Sequence, residues 1–189
     1  MSTATRGVGA STPTTELPLM LGQIIAEDPF LSALAQLTTS PQKERIIMGY
    51  NVSTRGSDFT IPADKLDAAT QALKDLNKRD ELKSGGSYGP GDKREYWFSW
   101  MPANYDETMH TAAEILESLG FTLSTDNDGS ISIDYYDSKS GDEDKFIAAL
   151  APFVAEGSYI NWEGEDGQHW RDEVRGGEIM QFNGSIVYK

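Results

Sequence analysis

Residues 157–171, GSYINWEGEDGQHWR, hold the chain's densest mixture of aromatic, acidic and glycine residues, in the order of a β-hairpin. Each unusual residue has a plain backbone task. Gly157 stops a preceding helix, residues 159–162 form a strand, and Asp166-Gly167 turns it, because Asp-Gly readily adopts the positive φ of a tight turn. Working outward, residues 106–136 and 142–175 repeat one order: acidic helix start, amphipathic helix, glycine, strand, Asp-Gly turn, strand. Gly120 to Gly129 and Gly157 to Gly167 differ in length by one residue, which favours convergence on one supersecondary unit over duplication.

In the first unit the spacing predicts a helix from Asp106-Glu107 with a buried stripe of Met109, Ala112, Ala113, Leu116 and Leu119, ended by Gly120. A hairpin follows, with Phe121 and Leu123 on one arm, Ile131, Ile133 and Tyr135 on the other, and a type I′ turn at Asp128-Gly129. In the second unit a helix begins at Asp142-Glu143-Asp144 and buries Phe146, Ile147, Leu150 and Val154, with Pro152 shortening it. Gly176-Gly177 and Asn183-Gly184 predict two more turns, bounding short strands at 179–182 and 186–188.

Upstream, Val52, Phe59 and Ile61 around Arg55-Gly56-Ser57 predict a strand or short hairpin. Pro62-Ala63-Asp64 opens a helix with Leu66, Ala69, Leu73 and Leu76 three and four apart. Residues 83–93 read as a flexible loop. They lack the phosphate-loop spacing, since Lys93 is followed by Arg94. Residues 95–101, EYWFSWM, are apolar on both faces and predict a central strand, with an exposed aromatic face for stacking bases or sugars as the sharper alternative. Trp97, Trp100, Trp162 and Trp170 are expected in or beside the core.

Residues 1–16 read as a disordered tail, and residues 17–47 as a helical extension and linker built on Leu21, Ile24, Ile25, Leu31, Leu34 and Leu37. Met48 is a candidate native start: Lys43-Glu44 is encodable as a ribosome-binding sequence a short distance before it. The domain is therefore expected at 48–189.

The formal net charge of −14 is one-sided. Residues 95–189 carry 19 acidic and 5 basic side chains, whereas residues 1–94 carry 11 of each. Such a balance disfavours direct nucleic-acid or anionic-membrane binding and steers basic partners inward. The absence of cysteine excludes disulfides, thiolate metal sites and cysteine nucleophiles. Residues 17–25 are too interrupted by Pro18, Gly22 and Gln23 for a membrane span, so the expected compartment is cytoplasmic.

No residue set carries recognisable catalysis, and neither cofactor nor metal is expected. His110 and His169 lack ligand spacing of the H-E-x-x-H kind. Asp126-Asn127-Asp128-Gly129 begins like a calcium loop, but Ser124 and Tyr135 stand where carboxylates are required. Glu163, Glu165 and Asp166 cluster on a charged hairpin tip, the wrong place to desolvate a general acid. Together with Asp142, Glu143, Asp144, Asp126 and Asp128 they form the candidate partner-binding set.

At Gly157-Ser158-Tyr159-Ile160, Gly164-Glu165-Asp166-Gly167 and Trp170-Arg171 the chain resembles a C-terminal signature of small uncharacterised proteins of bacteria, especially actinobacteria, and their phages. Met48-Gly49-Tyr50 is similar to the opening of some of them. The resemblance implies provenance and supplies no mechanism. The resulting expectation is an α+β domain, a mostly antiparallel sheet with about three amphipathic helices packed on it and an N-terminal helical extension. Its expected function is that of a non-enzymatic acidic interaction protein, phage-encoded, that binds a basic protein surface; its concrete form is a host-defence inhibitor imitating DNA charge. The alternative is a virion accessory or assembly protein docking through residues 17–37.

Overall fold

The structure is a computed structural model, and it describes residues 49–88, 91, 94–185 and 187. The expected tail, extension and Met48 start lie outside the described residues, as do parts of the strand expected at 186–188. The described chain is α+β. Strand β1 (Asn51–Asp58) and its short continuation β2 (Thr60–Ile61) lead into helix α1 (Leu66–Leu76). A small hairpin, β3 (Gly85–Tyr88) and β4 (Arg94–Trp97), precedes α2 (Tyr105–Thr108) and α3 (Ala112–Leu119). Then come β5 (Phe121–Thr125), β6 (Ile131–Lys139), α4 (Glu143–Leu150), β7 (Tyr159–Gly164), β8 (His169–Arg175) and β9 (Glu178–Gly184).

The main sheet is antiparallel throughout. It runs β5-β6-β1-β7-β8-β9, with β2 beside β6 as an extension of β1. Helices α1, α3 and α4 pack together over one face. Val52, Ile133, Tyr136, Ile160, Trp162 and Val174 from the sheet meet Leu73, Leu76, Ile115, Leu116, Phe146, Ile147 and Leu150 from the helices in one core. Two aromatic groups interlock in it: Phe98, Tyr105 and Phe146, and Phe121, Tyr136 and Trp162. The other face of the sheet is open.

Local chemistry explains the elements. Gly120 takes φ +105° and ends α3, and Pro152 sits in the 3₁₀ turn Ala151–Phe153 that closes α4. The turns at Asp126–Gly129 and Gly164–Gly167 share one design: a carbonyl at 126 or 164 accepts from the N–H of Gly129 or Gly167, the only positive-φ residue of each turn. That is a three-residue loop with a left-handed glycine, which corrects the type I′ expectation at Asp128-Gly129. Gly176 and Gly177 both have positive φ and do make a two-residue I′-like turn.

Several expectations are corrected. The helix expected from 106 to 119 is two helices, because Thr111 caps α3 by accepting from Glu114 N while Glu114 reaches back to His110 N, a capping box that restarts the helix. Ile115, not Ala113, completes its buried stripe. A bulge in the β5–β6 pairing shifts the alternation, so Tyr136 faces the core and Tyr135 faces solvent. Asn183-Gly184 continues β9 instead of turning.

Residues 95–101 are not a central strand. The strand stops at Trp97, and part of the loop expected at 83–93 pairs with it as β3 in a separate two-stranded sheet. Phe98 and Met101 are buried, and Met101 N donates to Phe98 O across a tight turn whose corner is Ser99-Trp100. Trp100 is therefore exposed and not in the core, whereas Trp162 is buried and Trp170 packs against the core.

One buried charge has a measurable consequence. Asp172 faces inward from β8, where burial pushes its carboxyl up to about 7, with Asp144 adding repulsion and the Gln181 amide (3.1 Å) opposing the shift. A carboxyl whose folded pKa is raised binds its proton more tightly when folded. Stability is thus full below the unfolded pKa and falls as pH rises toward 7. Glu143, also raised to about 7, acts in the same direction. Asp172→Asn keeps the acceptor for Gln181 and removes the charge. Urea melts should show it gaining about 2–4 kcal/mol over wild type at pH 8 and little at pH 4, because each tenfold change in proton affinity between the folded and unfolded chain is worth roughly 1.4 kcal/mol. Equal gains at both pH values would contradict this assignment.

Candidate interaction site

The site is built at the end of the sheet where β1 begins and β6 and β7 finish. Tyr50, buried just ahead of β1, accepts from Ser140 N at 2.7 Å through its carbonyl and donates its hydroxyl to Asp166 Oδ1. Its ring lies against Gly164, where a Cβ would stand 1.7 Å from the Tyr50 oxygen. Gly164 is thus a glycine for lack of space. Asn51 continues the clamp: its carbonyl accepts from Glu165 N (2.9 Å), and its own N and Nδ2 donate to Glu165 Oε2 (3.1 and 3.0 Å). Glu163 pairs with Arg55, which lowers its pKa. The hairpin tip is therefore held on β1 and is not a freely solvated turn, although Glu165 and Asp166 remain exposed.

Beside it, the entry to α4 turns two of its three acids inward. Asp142 and Glu143 are buried, which corrects their assignment to a partner-facing surface. Asp142 Oδ2 accepts from Ser99 N (2.7 Å) and Ser84 Oγ (2.6 Å), and its other oxygen pairs with Lys145. These bonds tie both ends of the β3–β4 hairpin to α4. Glu143 accepts from Gly141 N (2.6 Å) and Ser140 Oγ (3.1 Å), closing the turn that leads out of β6. Asp144 is exposed.

Trp100 completes this end and was missed as a surface residue. It is 53% exposed and, among the described residues, the one non-glycine with positive φ (+68°). Its indole N–H donates to Lys139 O at 3.1 Å and its ring covers Gly141, where a Cβ would lie 2.6 Å from Nε1. Lys139 pairs with Asn51 on β1, and Val52 pairs with Gly164 on β7. The Trp100 anchor point and the acidic tip are thus two strand spacings apart, about 10 Å.

Six of the eight expected residues converge here: Glu163, Glu165, Asp166, Asp142, Glu143 and Asp144. Asp126 and Asp128 do not, since their turn lies at the opposite end of β6, where Asp128 accepts from Ser130 N at 2.9 Å and stabilises the turn. His110 lies between α2 and α3 in the helical layer, and His169 lies on the open face of β8. Among the described residues no group of three or more histidines and carboxylates could hold a metal ion, and no helix is long and apolar enough to cross a membrane.

The clamp yields a direct test. Gly164→Ala should displace the Tyr50 ring and cost about 2–4 kcal/mol, the range for overpacking with loss of a charge-assisted hydrogen bond. A double-mutant cycle of Tyr50→Phe with Asp166→Asn should give a coupling of about 1–2 kcal/mol by chemical denaturation. Additive single mutants would show that the hydroxyl–carboxylate bond contributes nothing. Compared with known proteins, the chain matches no family model, no curated protein and no solved structure, so its functional reading rests on this geometry.

Proposed function

We propose that the protein is a non-enzymatic interaction protein that docks a basic protein surface with this end of its sheet, Trp100 serving as apolar anchor and Glu163, Glu165 and Asp166 as the charged rim. The observation that carries the reading is the placement of an exposed, backbone-strained tryptophan beside carboxylates already fixed by β1. A non-glycine residue with positive φ costs on the order of 1–3 kcal/mol, and such strain collects at functional positions. Tryptophan is the residue most enriched among binding hot spots, and a surrounding charged rim steers association more than it deepens affinity. Because the tip is pre-positioned, little side-chain entropy is lost when it binds. The narrower form of the reading is a phage-encoded inhibitor of a host-defence protein whose carboxylates imitate the charge of DNA. It draws support from the acidic excess of residues 95–189.

The test is affinity capture with the full chain at about 50 mM and about 500 mM salt, where screening lengths differ severalfold. A basic partner should be held at low salt and lost at high salt. With that partner purified, Glu165→Gln combined with Glu163→Gln should slow association by about tenfold and flatten the salt dependence. Trp100→Gly relieves the backbone strain, so it should stay within about 1 kcal/mol of wild-type stability while dissociating at least about tenfold faster. Capture of no basic protein at low salt would overturn the reading, as would binding indifferent to salt and to both variants.

A further inference from the structure

On the open face of the sheet, next to the hairpin tip of the acidic end, β1, β7, β8 and β9 form a groove of about 440 Å³. Its lining inverts the character of the chain. Residues 95–185 contain two arginines, Arg171 and Arg175, and both stand on this face with Arg55 from β1 beside them. Their side chains stay 42%, 54% and 57% exposed respectively. The groove's own lining holds one carboxylate, Glu173, against the three arginines, while around it Glu163 pairs with Arg55, Asp137 also acts on Arg55, and Glu178 stands opposite Arg175 in register.

The arginines are held as flat platforms. The Arg171 guanidinium lies 4.1 Å from the Tyr159 ring centre, and its Nε donates to Asn161 Oδ1 at 2.8 Å. Arg175 lies 4.6 Å from the Phe182 ring centre, and its Nε donates to Glu173 at 2.9 Å. Both Nε groups are engaged within the protein, and the terminal amino groups supply further donors suited to a carboxylate or phosphate. Register supplies the hollow. Asn161, Arg171 and Phe182 form one row across β7, β8 and β9, and Glu163, His169 and Gly184 form the next. Gly184 contributes no side chain to its row, so the floor dips between His169 and Phe182. The volume falls within the range of small-molecule sites.

From this geometry we propose that the groove binds a small anion bearing a planar ring, the chemistry of a nucleoside monophosphate. The ring lies over Gly184 between His169 and Phe182, and the acid group meets the terminal amino groups of Arg55 and Arg171. A nucleic-acid strand fits the same donors less well, because three arginines offset few phosphates while the whole molecule repels a polyanion.

The test titrates AMP into the full chain, read by calorimetry and by the fluorescence of Trp162 and Trp170, which lie in the strands that floor the groove with their indoles on the core side. Saturable binding in the submillimolar range is expected, with adenosine and inorganic phosphate each at least about tenfold weaker. Arg171→Gln and the more exposed Arg55→Gln should each weaken AMP by about tenfold, and Phe182→Leu by severalfold, while Lys74→Gln on α1 leaves it unchanged. Circular dichroism of each variant separates lost binding from lost fold. Absence of saturable AMP binding overturns the proposal. So does binding that folded Arg171→Gln and Arg55→Gln proteins retain in full, or inorganic phosphate binding as tightly as AMP.

Discussion

The seat of Tyr50 on Gly164, with its hydroxyl on Asp166, is the contact on which the sheet depends. β1 lies between β6 and β7, so each of its neighbours must find the right register on it. A slip of one residue would turn every core side chain of the slipped strand outward. Tyr50 prevents this at both sides at once, since its carbonyl takes the chain leaving β6 and its side chain takes the turn leaving β7. Farther along, the Gly56 bulge interrupts the β1–β7 ladder, and the Thr54 hydroxyl accepts from Tyr136 N within the buried core. The strand is thus fixed at its start and allowed to bend at its middle.

What the sequence made legible was local. Gly120, Pro62, Pro152 and the glycines at 129, 167 and 176–177 each mark a boundary that the structure keeps, because their effect on φ or on a missing N–H acts within a turn. The misreadings involve choices that local pattern leaves open. The run from Glu95 to Met101 is apolar on both faces whether it continues as a strand or breaks at Ser99-Trp100, and what breaks it is Asp142, more than forty residues away, accepting from Ser99 N. The break before α3 did have a local signal, Thr111-x-x-Glu114, which the continuous apolar stripe concealed. At the site, Glu165 and Asp166 could be recognised as a tip, but their fastening to Asn51 and Tyr50 spans more than a hundred residues and has no signature in periodicity.

Charge was the least legible quantity. A formal count treats Asp142, Glu143 and Asp172 as surface carboxylates, yet all three are buried. Asp142 is kept by a lysine and two hydrogen-bond donors, while Glu143 and Asp172 are held near 7 by desolvation. Near neutral pH the folded molecule therefore displays less negative charge than its composition states. What remains is unevenly placed, with α2 and α3 carrying Asp106, Glu107, Glu114 and Glu117 and no basic residue, and the open face interleaving Arg55, Arg171 and Arg175 with Glu163, Glu173 and Glu178. Net charge alone would have predicted one acidic surface. The fold gathers the arginines of the second half on the open face, where Glu163, Glu173 and Glu178 stand among them.

Trp100 shows why the acidic end is a better candidate for contact than any other acidic stretch. Its φ is that of the corner position glycine normally takes in a type II turn, and Phe98 and Met101, buried on either side, fix the turn in place. Glycine there would satisfy the backbone without strain, and the indole gives up roughly half of its surface to water, so burial does not explain the residue. The hydrogen bond to Lys139 O and the contact with Gly141 orient the ring but recover only part of that cost, since a typical hydrogen bond nets about 1 kcal/mol. The same Asp142 that breaks the strand also holds Ser99, the residue before the indole, so the strain is maintained from the core outward. A strained, oriented and exposed tryptophan beside fixed carboxylates has its missing stabilisation where a partner would supply it, by covering the ring.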